Sequence, residues 1–199
     1  MQFFADADYD RILDLQPPSN VRFTDGRDIE AYFQSESCIL KMCSIGFPSF
    51  PEASAKKILP WAKDVIRPIG MLRIVSARRQ MELPFQNTFE RHGLDHFLNG
   101  KGLDAHLNFD QLLQTLLQNA GISLSKKEEV SLLFQNETRL LSEQTDTEIV
   151  HGKDFYMGVS AILNVDTKQV ERLLHLSADI SAIKGFPNIV ATENWISGQ

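Results

Sequence analysis

The chain is 199 residues long, with 43% hydrophobic and 23% charged residues, the balance of a folded globular protein and not of a disordered one. A formal net charge of −6 does not mark a surface built wholly for nucleic acid, and no apolar run approaches the roughly 18 residues needed to cross a bilayer. Cys38 and Cys43 form no CxxC pair and have no accompanying His cluster, which argues against a zinc site or a disulfide framework; both are expected to be reduced and buried.

The first ten residues, Met1 to Asp10, carry the main chemical signal: the apolar run Phe3-Phe4-Ala5 breaks into alternating carboxylates. In an extended strand Asp6, Asp8 and Asp10 share a face, with neighbouring Cα atoms of that set about 7 Å apart. Hard divalent ions such as Mg²⁺ or Mn²⁺ take oxygen ligands, usually one or two protein carboxylates, so Asp6 and Asp8 are candidate metal ligands. A metal held there activates water or clamps a phosphoryl group. The alternative is helix capping, since Asp is a favoured N-cap and Tyr9 to Leu15 reads as a short helix. No basic region precedes the apolar run, so no signal peptide is read and a cytoplasmic location is expected.

A strand over Gln2 to Asp6, that helix, the connection Gln16-Pro17-Pro18-Ser19-Asn20 and a second strand over Asn20 to Thr24 predict a parallel βαβ unit. Working groups in such sheets collect beyond the carboxyl ends of the strands, which brings Asp28 and Glu30 towards Asp6 and Asp8. Capping of the following helix is the competing role for the same acids.

From Lys56 to Arg79 seven basic residues face the single acid Asp64, between acidic flanks. Such a stripe beside an acidic pocket suits an enzyme acting on a polyanion; a solvated helix face is the competing reading, and the one composition alone favours. Arg67, Arg73, Arg78 and Arg79 are the candidate phosphate contacts, because a guanidinium binds two oxygens at once; pairing with a carboxylate is their ordinary alternative. Pro60 and Pro68 divide this stretch into separate or kinked helical pieces. Ser49 to Glu52 reads as a capping box, and Leu83 to Phe89 as an edge strand beginning near Pro84.

Beyond the turn Asn99-Gly100-Lys101-Gly102 the chain reads as mostly helical. Asn108 caps a helix to Asn119, Ser125 to Glu128 opens another, and Asp166 and Pro187 start the last two. The leucines at helical spacing are core. His151-Gly152-Lys153-Asp154 precedes a buried helix, either as a pocket mouth or as a cap. The expected architecture is therefore α/β: a βαβ sheet at the amino end within residues 1–100, followed by a helical part, 101–199, packed on it.

The run Phe3 to Asp10, then Thr24-Asp25-Gly26-Arg27-Asp28-Ile29-Glu30, Ile69 to Arg73, Leu83-Pro84-Phe85, His151 to Asp154 and Trp195 resembles a bacterial family of defence-associated proteins with a Toprim-like domain, often encoded beside an ABC-type ATPase. The resemblance implies a Mg²⁺- or Mn²⁺-dependent nuclease acting on DNA or RNA against phage, related to the overcoming-lysogenization-defect enzymes. It assigns Asp6 and Asp8 to the metal and Asp28, Glu30 and Lys153 to catalysis. Toprim domains also carry an essential Glu after an earlier strand, and this chain opens at the Asp-x-Asp strand. The resemblance thus leaves three options: a fragment, a site completed by another chain, or a remnant without nuclease activity. A non-catalytic module docking on a partner ATPase is the alternative of a different class. A haloacid-dehalogenase phosphatase fits less well because Asp10 stands where Thr or Val is wanted, and little supports a glycosyltransferase.

Overall fold

The computed structural model describes residues 3–10, 12–13, 15–178 and 183–197, without the side chains of Trp195 and Ile196. The amino end forms the expected parallel pair: β1 (Phe3–Ala5) runs beside β2 (Val21–Phe23), with Phe3 opposite Val21 and Ala5 opposite Phe23. The Gln2 end of the predicted strand and the predicted Trp195 motif lie outside the description. Parallel sheets are generally covered on both faces. This one is open, with Phe3 47% and Phe4 36% exposed.

Two predictions in this region need correction. The strand stops at Ala5, so Asp6, Asp8 and Asp10 do not share a strand face; Asp8 to Asp10 are turn residues and Asp8 has φ 45°. The expected helix from Tyr9 to Leu15 is a coil of turns among its described residues, Arg11 and Asp14 lying outside them. Leu13 N–H bonds to Tyr9 O at 2.8 Å, but Leu15 N–H reaches back to Asp10 O, so the i→i−4 ladder does not propagate. A segment this short, ending in Pro17-Pro18, cannot offset the cost of helix nucleation.

The remainder is mostly helical. After a 3-10 turn at Ile29–Phe33 come α1 (Glu36–Gly46), α2 (Glu52–Ala55), α3 (Ile58–Val65) and α4 (Arg67–Arg78). Pro60 and Pro68 fall in the first turns of α3 and α4, where a missing N–H costs nothing, so the two prolines divide the stretch as the sequence requires. The predicted strand at Leu83 to Phe89 is instead α5 (Phe85–His92), with Pro84 as N-cap. Phe85 and Phe89, four apart and both buried, form the inner face of that helix, a period that no strand presents. A short ladder, β3 (Leu98–Asn99) with β4 (His106–Leu107), flanks the expected turn.

The chain then builds α6 (Phe109–Asn119), α7 (Lys127–Leu140), α8 (Asp146–Ile149), α9 (Gly152–Leu163), α10 (Thr167–Ser177) and α11 (Pro187–Ser197). Asn108 and Asp166 cap α6 and α10 through their side chains. The boxes predicted at Ser49 and Ser125 do not form, whereas Thr145 and Glu148 make a complete one on α8.

Ile69, Leu72, Ile74 and Val75 of α4 are almost wholly buried, as are Leu112, Leu113, Leu116 and Leu117 of α6. Helix α4 packs on α3 and α7, α3 on α9, and α1 on α10, so helices from either side of residue 100 share one core. Gly70 lets α8 come close to α4, since a Cβ there would strike the backbone carbonyl of Ile149. Cys38 and Cys43 are buried free thiols on α1. No helix among the described residues is long and apolar enough to cross a membrane.

Candidate functional site

The ends of β1 and β2 are stitched together by polar bonds. Ala7 N–H donates to Thr24 Oγ1 at 3.0 Å, and the Thr24 hydroxyl donates to Gly26 O at 2.9 Å. Thr24 is buried, so both loops leave the sheet in fixed directions. Asp6 Oδ1 then accepts the Ile29 N–H at 3.0 Å, which caps the 3-10 turn that carries Glu30.

From the far end of the sequence, Gly152 at the start of α9 is brought against this loop. Its N–H donates to Asp28 Oδ2 at 2.9 Å, and a Cβ on Gly152 would collide with Glu30 and crowd Asp28 Oδ1. Only glycine lets the start of α9 approach so closely. Of the acids predicted to converge, Asp6 reaches the backbone of the loop that carries Asp28 and Glu30, Asp8 turns to Arg27, and the His151 to Asp154 segment joins them.

Sequence reasoning missed the centre of this cluster. Arg27, with its side chain 8% exposed, lies between Asp8 (Nη2 to Oδ1, 3.5 Å) and Asp28 (Nη1 to Oδ2, 3.6 Å). Its guanidinium carbon sits 4.1 Å from the centre of the Tyr9 ring, the range of a cation–π contact. Tyr9 OH in turn donates to Gly70 O at 3.4 Å, linking the cluster to α4. The available signal was a lone cation among the acids of Asp25 to Glu30. Arg27 Nε and Asp28 Oδ1 are buried without hydrogen-bond partners.

Electrostatics follow from this burial. Desolvation pushes the Asp28 carboxyl up to about 6, helped by the charges of Glu30 and Asp6, while the Gly152 N–H and Arg27 pull the other way. Burial drives His151 down to about 3, despite the nearby Asp154 carboxylate. A neutral His151 accepts the Lys153 N–H on Nδ1 at 3.1 Å and so caps α9; its 3.8 Å approach to Asp28 is a contact with a neutral ring and not an ion pair. Lys153 itself is exposed at the rim. Burial also raises Tyr9 well above its ordinary value.

The basic residues expected to meet phosphates are mostly occupied. Arg73 clasps Asp154 with two 2.8 Å hydrogen bonds and stacks on Phe85. Arg67 binds Asp146 and the carbonyls of Leu141 and Gln144, and Arg78 binds Glu137 and the carbonyl of Ile12. Arg79 is exposed, with no ion pair among the described residues.

Mg²⁺ needs oxygens in near-octahedral array at roughly 2.1 Å. Asp6 is engaged by Ile29, Asp8 by Arg27 and Asp28 by Gly152, and among the described residues no three His, Cys, Asp or Glu side chains are grouped to hold a metal ion. As folded, these carboxylates are held by protein donors that a divalent cation would have to displace. Comparison with family models, curated proteins and solved structures finds no match to this chain.

Proposed function

We propose that the chain is a non-catalytic interaction module, a remnant of the Toprim-like fold it resembles, and that it docks on a protein partner, of which an ABC-type ATPase is the first to test. One observation carries this reading: Arg27 supplies between Asp8 and Asp28 the positive charge that a metal would otherwise supply, and Tyr9 holds it there. Locking three of the four candidate arginines into carboxylate pairs further removes the groups a nuclease would turn towards phosphates. Calorimetric titration with Mn²⁺ and Mg²⁺ tests the reading, together with incubation of DNA and RNA under either metal. No uptake and no cleavage are expected. Metal-dependent cleavage by the wild-type chain that disappears in Asp8→Ala overturns it.

A second reading, the metal-dependent nuclease with Asp6 and Asp8 as ligands and Asp28, Glu30 and Lys153 in support, is favoured by a separate observation. Asp28 is a buried acid with an unpartnered oxygen, and its carboxyl is held high partly by Asp6 and Glu30, the signature of a cluster short of positive charge. Metal entry would require Arg27 to leave Asp8. The same titration separates the two: under this reading Arg27→Ala binds Mn²⁺ more tightly than wild type.

A further inference from the structure

Arg79 differs from its neighbours in having no acid to hold, and its surroundings give that freedom a use. It lines a cavity of about 460 Å³ between the end of α4 and the start of α7, with Met81, Ile122, Val130 and Leu133 as apolar lining and Lys126 as a second cation; Glu129 is the one acid there. Neither Arg79 nor Lys126 has a carboxylate partner among the described residues, in contrast to Lys127, which is bound to Asp110. The amino end of α7 lies at the same edge, its dipole partly offset by Glu128 and Glu129 in the first turn. Leu132, one helical step from Glu129, extends the apolar surface outward and is 59% exposed.

We propose that this groove docks an acidic segment of a partner protein, its carboxylates on Arg79 and Lys126 and an aliphatic or aromatic side chain on Met81, Ile122 and Leu133. The inference rests on reading the chain as an interaction module. Two cations are too few for nucleic acid, because a polynucleotide needs an extended positive track. A short acidic peptide needs only local charge and one or two anchors.

The test is fluorescence anisotropy of the full chain with a fluorescein-labelled peptide of about 14 residues, leucines at i, i+4 spacing and glutamates elsewhere. Saturable binding is expected, weakened about tenfold when glutamine replaces every glutamate, and weakened at least as much by combining Arg79→Glu with Lys126→Glu, since a tenfold change is the scale of one exposed charge pair or two. Both substituted side chains are exposed, so the thermal midpoint serves as the folding control and stays unchanged. Equal binding of the glutamine peptide, indifference to the double substitution, or tighter binding of a single-stranded oligonucleotide of similar length overturns the proposal. Failure here without metal-dependent cleavage removes the groove alone; peptide binding by a chain that also cleaves nucleic acid removes the non-catalytic reading and leaves the groove.

Discussion

The helical body and the two-stranded sheet at the amino end keep their shape by opposite means. Around α4 the side chains of Ile69, Leu72 and Ile74 are wholly buried, and packing area dominates. At the sheet Phe3 and Phe4 face solvent, and a few directed bonds dominate: the buried ones from Thr24 to Ala7 and Gly26 and from Asp28 to Gly152, with the exposed bond of Asp6 to Ile29 beside them. Apolar burial is roughly additive and spreads a loss over many contacts, at about 25 cal/mol per Å². A buried polar bond concentrates the loss, because the partner left behind has no water to turn to. The strand ends should thus be sensitive to single atoms, and the strands themselves nearly indifferent.

The largest effect is expected where the two modes meet. Asp154, 1% exposed, is bound by Arg73, whose other face rests on Phe85. Asp154→Ala strands a mostly buried guanidinium and should lower unfolding free energy by about 3–5 kcal/mol in urea titration. Gly70→Ala drives a methyl into the carbonyl of Ile149, an immovable neighbour, and should cost about 1–3 kcal/mol.

Asp28 adds a pH dependence with a definite sign. Its carboxyl is raised from 3.8 to about 6 on folding, so the folded state holds the proton more tightly than the unfolded chain. Its ionisation therefore opposes folding: the Asp28 contribution to stability falls as pH rises between about 4 and 6, then levels off, while the burial of neutral His151 works in the opposite sense over the same range. Asp28→Asn keeps an oxygen for the Gly152 N–H and should remove that falling component, so the variant gains on the wild-type chain as pH rises from about 4 to 6, by roughly 1–3 kcal/mol at pH 7. A stability difference between the two chains that does not change with pH would remove Asp28 from the account.

The smallest effect tests the other side of the contrast. Phe4→Ser on the open sheet should change unfolding free energy by no more than about 0.5 kcal/mol. A loss of several kcal/mol would show that the sheet is covered in solution.

Much of the helical part was legible because its signals are local. Asn108, Asp166 and Pro187 mark helix starts by chemistry that acts within one turn, and the leucines of α6 carry an unambiguous period. The parallel pairing of β1 and β2 was read from two short apolar runs, although the helix expected between them does not form. The segment at Leu83 to Phe89 was not, since Pro84 opens a helix as readily as an edge strand and the decision lay with Phe85 and Phe89 meeting the core. The site was half legible: the acids Asp6, Asp28 and Glu30 could be placed together from strand ends alone. The role of Arg27 depended on Tyr9 folding back through turns, and the engagement of Arg67, Arg73 and Arg78 on acids 59 to 81 residues away, distances that no local pattern encodes.

The two buried thiols on α1 have a practical consequence. Burial pushes both Cys38 and Cys43 up to about 11, and Cys38 donates its S–H to Leu174 O at 3.5 Å. At neutral pH only about one molecule in ten thousand carries the reactive thiolate at either position. Alkylating reagents will therefore reach Cys38 only as α1 opens from α10, which makes that native cysteine an internal reporter of local opening.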